Sequence, residues 1–182
     1  MSMTSAPRTQ HFVSVDILTT SYRVVGKTMV TSSGVVGMIN NMTTAFMEVH
    51  DARLARIHMP TKLADHFEVV RLSKKRVFVV CLNRREDIGP QSLARGGYAT
   101  VAQHPIRVTT QSYEIEGTIE WQGRFDFKVL MSEGTRHFLP LYDAKVTGIL
   151  IPTLKIESPA VLFNREQVDM LGLLSQRTKK EN

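Results

Sequence analysis

A chain of 182 residues with 42% hydrophobic and 22% charged side chains has the composition of an ordinary folded protein, outside the disordered class. Its net charge of +6 and pI near 9.7 raise the prior for an acidic partner such as nucleic acid or phosphate. No apolar run approaches the ~18 residues that span a bilayer, and residues 1–10 lack the apolar core of a secretory leader. A cytoplasmic location without membrane insertion is therefore expected.

Residues 1–10 are polar and read as a flexible N-terminus. The first predicted strand covers 12–18, where Val13, Val15 and Ile17 alternate with Ser14 and Asp16. A second covers 21–30, with Gly26 inside it. Val35, Met38, Ile39 and Met42 then recur at helical spacing, which predicts a short helix over 34–42. Strands follow at 46–54, 67–72 and 77–82, the last two joined by the polar turn Ser73-Lys74-Lys75-Arg76. Residues 86–104 hold Gly89, Pro90, Gly96 and Gly97 without periodicity and read as a linker.

The same order of elements then returns. Strands are predicted at 106–109 and 112–121, a short helix around Phe127, Leu130 and Met131, and a strand at 138–146. Two more, at 160–163 and 168–174, flank the turn Asn164-Arg165-Glu166-Gln167, and residues 175–182 read as a flexible tail. The match extends to single positions. Ser21-Tyr22 and Ser112-Tyr113 stand 91 residues apart, each followed by an in-strand glycine, Gly26 or Gly117. Phe46, Asp51 and Ala52 match Phe138, Asp143 and Ala144 at a displacement of 92, as Pro60-Thr61 match Pro152-Thr153. A glycine recurring inside a strand predicts a sharp bend. The expected fold is mainly β. It consists of two tandem five-stranded modules, small Sm/SH3-like barrels or rolled sheets, at 11–85 and 105–174. Each carries a short helix between its second and third strands.

These segments, Tyr113 to Trp121, Phe138 to Ala144 and Val161 to Val168, resemble an uncharacterised bacterial domain family of unknown function, here occurring twice. The resemblance implies architecture only. A looser resemblance, in the strand glycine, the Asp-Ala after the third strand and the four-residue last turn, is to Sm-like small β-barrels. That family implies rings and RNA binding, but the inserted helix and the turn sequences Lys74-Lys75 and Arg165-Glu166 depart from its pattern.

Charge is unequally divided. Residues 11–85 carry eleven basic and five acidic side chains, whereas 105–174 carry seven and nine. Arg71, Lys74, Lys75, Arg76, Arg84 and Arg85 are the candidate phosphate or nucleic-acid contacts, since clustered cations on a turn can neutralise several phosphates. Arg23 and Lys27 on the second strand oppose in sign Glu114, Glu116 and Glu120 on its counterpart, a candidate self-association or packing face. His11, His50, His58, His66, His104 and His137 show no ligand spacing that predicts a metal. Cys81 lies in an apolar run, which suits a core residue rather than a nucleophile. No cofactor is expected. The expected role is a non-catalytic binding or scaffold protein working through protein contacts and self-association, with nucleic-acid or phosphate binding as the alternative and an enzyme of unknown type third.

Overall fold

The computed structural model of the chain describes residues 9–90 and 100–175. The expected tail beyond residue 175, residues 1–8 of the expected N-terminus and residues 91–99 of the expected linker lie outside the described residues. Ten strands dominate: β1 (His11–Thr19), β2 (Tyr22–Val30), β3 (Phe46–Arg56), β4 (Leu63–Ser73), β5 (Val77–Leu82), β6 (Val101–Thr110), β7 (Tyr113–Gln122), β8 (Phe138–Gly148), β9 (Lys155–Asn164) and β10 (Val168–Leu173). Two six-residue helices, α1 (Gly34–Ile39) and α2 (Phe127–Ser132), follow β2 and β7. Turns of 3₁₀ helix occupy Lys74–Arg76, Arg85–Ile88 and Arg165–Gln167.

All ten strands belong to one antiparallel sheet in the order β10-β6-β7-β8-β9-β5-β1-β2-β3-β4. The mainly β fold is as expected, but of the two forms expected, small barrels or rolled sheets, the barrel is not observed: the sheet is not closed. Neither β4 with β5 nor β9 with β10 forms a pair, although only three residues separate the members of each. A 3₁₀ turn between two strands redirects the chain, whereas a tight hairpin turn keeps neighbours side by side. Each final strand instead crosses back to the first strand of its half, β5 to β1 and β10 to β6. The sheet becomes continuous through β5 and β9, paired as Val79↔Phe163, Val80↔Leu162, Cys81↔Val161 and Leu82↔Ala160.

That central pair is apolar on both faces, which is why β5 reads as the uninterrupted run Val-Phe-Val-Val-Cys-Leu and is buried at every position. On one face Val77, Val80, Leu82, Ala160 and Leu162 join Val13, Val15, Ile17, Val24, Met47 and the α1 residues Val35, Val36 and Ile39. On the other, Phe78, Val79, Cys81, Val161 and Phe163 join Ile106, Val108, Tyr113, Ile115, Leu141, Val146 and Leu130 of α2. Two cores thus lie on opposite sides of one strand pair.

Local chemistry repeats along the sheet. Gly26 and Gly117 each sit at a register shift with the next strand, between Val25 and Lys27 and between Glu116 and Thr118. A Cβ on Gly26 would lie 2.6 Å from the His50 carbonyl oxygen, and one on Gly117 3.0 Å from that of Tyr142. The glycines therefore let β2 and β7 bend tightly against β3 and β8. Asp51 and Asp143, directly after those contacts, are the non-glycine residues with positive φ among the described residues, at 48° and 47°. Asp tolerates this left-handed conformation better than branched or bulky residues do.

Other boundaries differ from expectation for identifiable reasons. α1 stops at Ile39 because Asn40 turns its side chain to β8, leaving Met42 66% exposed instead of on the helix face. β4 begins at Leu63, earlier than the apolar residues suggest, because Leu63, Asp65, His66 and Phe67 are paired with β3, and the His66 side chain also meets Asp51 on β3 at 2.6 Å. Both ends of the stretch read as linker are ordered: Arg85–Ile88 is a 3₁₀ turn with Ile88 buried, and β6 starts at Val101.

Candidate functional site

The contact between the first and second halves of the sheet is densely bonded. Asn164, at the end of β9, donates from Nδ2 to the Val77 carbonyl at 3.0 Å. Ser158 Oγ accepts from Leu82 N–H at 3.2 Å and lies 2.7 Å from the Leu82 carbonyl oxygen. Tyr113 donates its hydroxyl to the Thr19 carbonyl and stacks edge-on against Phe78, centroids 5.6 Å apart. Burial raises the Tyr113 pKa, which keeps that hydroxyl protonated as a donor. Gln167 Nε2 donates to the Lys75 carbonyl at 2.9 Å, bringing the turns Arg165–Gln167 and Lys74–Arg76 together.

The predicted phosphate contacts are dispersed by this arrangement. Lys74 is buried, and its ammonium donates to the carbonyls of Met38 at 3.1 Å and Asn41 at 2.9 Å and to Thr44 Oγ1 at 2.9 Å. It closes the C-terminal end of α1, where carbonyls lack intrahelical partners, and desolvation lowers its pKa. Arg71 bonds Glu48 at 2.9 Å across β3 and β4. Arg84 pairs with Asp87 at 3.0 Å, and that partner raises its pKa. Arg85 pairs with Glu120, and its guanidinium carbon lies 3.8 Å from the centre of the Tyr142 ring. Lys75 and Arg76 stay exposed on the turn.

The two predicted second-strand faces do not meet within the chain, since β2 and β7 are far apart in the sheet. Arg23 is occupied by Asp16 on β1 at 2.6 Å, a bond that raises its pKa. Glu116 pairs with Arg107 on β6. Lys27 is exposed opposite His50, and Glu114 lines an open groove with Lys145 and Lys155. Of the acidic face only Glu120 reaches the other half, through Arg85, a residue assigned from the sequence to the phosphate group.

The most conspicuous surface was not singled out from the sequence. Among the described residues β4 and β10 end the sheet, each with one side unpaired. Leu63, Phe67 and Val69 on β4 are exposed, as are Met170 and Leu173 on β10. Phe46, beginning β3 beside β4, is also exposed. The signal available in the sequence was the apolar content of positions 63, 67 and 69, masked by the intervening Asp65, His66 and Glu68.

A groove of about 330 Å³ lies where α1 and the Lys74–Arg76 turn face β8, lined by Met42, Thr44, Lys75, His137 and Glu166 among others. His137 Nδ1 and Glu166 close one side at 2.7 Å. Cys81 is buried and its thiol pKa is pushed up by desolvation. Among the described residues no cluster of three His, Cys, Asp or Glu side chains is placed to hold a metal, and no helix is long and apolar enough to cross a membrane. No family model, curated protein or solved structure matches the chain.

Proposed function

We propose that this chain is a non-catalytic scaffold or binding protein, built from two tandem five-stranded units and acting through protein contacts that include self-association. The observation carrying this is the pair of sheet edges that no described residue covers, both bearing exposed apolar side chains, on either side of a buried centre. Long exposed apolar edges are templates for pairing with another chain. The tandem-unit part is supported by the recurring strand glycines, the positive-φ aspartates and the two 3₁₀ turns before the last strand of each half. The resemblance to a duplicated bacterial domain and to Sm-like sheets belongs to this proposal. Sedimentation over a wide concentration range tests it: the mean mass rises with concentration, and a single-chain mass throughout removes self-association.

A second reading rests on Lys75 and Arg76, which stay exposed on a turn of the more basic half. It assigns nucleic-acid or phosphate binding to that turn. Titration with single-stranded RNA and duplex DNA at low and moderate salt tests it, because phosphate contacts weaken steeply with salt. Affinity lost in Lys75→Ala/Arg76→Ala supports it, and no binding at low salt removes it.

A further inference from the structure

We infer that copies of this chain join head to tail, β4 of one copy pairing antiparallel with β10 of the next in the arrangement that β9 and β5 already show inside one chain. The inference rests on the tandem-unit, self-associating reading above and adds the partner, the strands and the register. Inside the chain the joint is made by the fourth strand of the second half and the fifth strand of the first. What remains unpaired among the described residues is the complementary set, the fourth strand of the first half and the fifth strand of the second. Transferring the internal pairing by the 91-residue displacement sets Leu72 opposite Met170, Arg71 opposite Leu171, Val70 opposite Gly172 and Val69 opposite Leu173.

Exposure supports the same assignment independently. Ala160 is fully buried at the internal joint, whereas its counterpart Val69 is 43% exposed. Val79 and Leu82 are 0% and 1% exposed, against 59% and 46% for Met170 and Leu173. Phe138, which packs into the core of the other half, is 2% exposed, against 56% for Phe46. Phe46, Val69, Met170 and Leu173, whose counterparts the internal joint covers, are thus bare at the two ends of the sheet, while Val70, Leu72 and Leu171 are half-buried.

Charge completes the fit. At the internal joint Gln167 reaches across to Lys75. At the joint between copies Arg76 takes the place of Gln167, and Glu166 that of Lys75, so a basic turn meets an acidic residue, with Asp169 nearby in sequence. The first half carries net charge +6 and the second −2, which favours head-to-tail over head-to-head approach. Because the two surfaces differ, the contact is heterologous and propagates into a ring or an open filament.

The test uses the full chain with one edge disabled at a time. Val69→Glu places a charge on β4 and leaves β10 intact; Leu173→Glu does the reverse. Each variant alone sediments at the single-chain mass, and an equimolar mixture sediments at twice that mass, because one intact joint remains. Circular dichroism and melting establish that both variants fold. A second pair, Val69→Cys and Leu173→Cys, avoids the charge. On mixing under oxidation it gives a disulfide-linked dimer of unlike chains, the two positions being directly opposite. An oligomer that survives in both Glu variants, or a linked dimer formed by Val69→Cys alone, overturns the head-to-tail joint while leaving self-association standing. A wild-type chain that stays monomeric at every concentration overturns both.

Discussion

Asn40 and Phe138 are joined as if by one rung of a β-ladder. The Asn40 side chain accepts from Phe138 N–H at 2.8 Å and donates to the Phe138 carbonyl at 3.0 Å. A side-chain amide thus supplies the partner that the start of β8 lacks, and ties the end of α1 to the opposite half of the sheet. Asn40→Ala leaves both backbone groups unmatched. It is expected to cost about 1–3 kcal/mol, read as a lower urea midpoint with an unchanged slope. Asn40→Asp keeps the acceptor and loses the donor, and falls between the two.

Lys74 is expected to behave as a structural cation. Lys74→Met retains most of the aliphatic stem and removes three donors from the end of α1, which costs about 1–3 kcal/mol. Lys75→Met, on the exposed neighbour, changes stability by less than about 0.5 kcal/mol. Equal effects of the two substitutions in chemical denaturation would contradict the assignment.

The bends in β2 and β7 differ in tightness, and alanine measures the difference. The new Cβ in Gly26→Ala meets both the His50 carbonyl and Val49 Cγ1 at 2.6 Å, while that in Gly117→Ala meets Tyr142 O at 3.0 Å. Both destabilise, within the ~1–3 kcal/mol typical of overpacking, and Gly26→Ala costs more. The ratio of the two unfolding midpoints is the readout.

Cys81 gives a pH-dependent prediction. Desolvation raises its thiol pKa in the folded chain above its ordinary value of 9.0. A raised folded pKa means that the thiol's contribution is intact below pH 9.0. It is lost as pH climbs, because the unfolded thiol ionises first. Above pH 9.0 the stability advantage of wild type over Cys81→Ala therefore shrinks by about 1.4 kcal/mol per pH unit. In native protein the thiol also resists alkylation, and its labelling rate tracks unfolding.

Much of the strand content was legible because each strand carries its own period. β5 is read at its full length from an unbroken apolar run, and β7 from the alternation of Tyr113, Ile115, Ile119 and Trp121 with its glutamates. The partner of β5 was not legible. Pairing with β9 joins residues some 80 positions apart, and four apolar side chains satisfy any apolar neighbour equally well on local grounds. Lys74 was misread for a related reason. Its sequence neighbours Lys75 and Arg76 suggest a solvated turn, while the two carbonyls and the hydroxyl that draw it inward come from residues 30–36 positions earlier. Chains of cations in sequence are not clusters in space when each has its own acceptor, as Arg71, Arg84 and Arg85 also show.

The position of β9 in the chain has a consequence for biosynthesis. β5 ends at Leu82, whereas β9 begins only at Lys155. At about 5–20 residues per second, a ribosome needs roughly 4–15 s to supply the missing strand. During that interval Val79 and Cys81, whose covering residues belong to the later half, face water. The first half, emerging alone, thus presents an apolar strand face that only the later half covers.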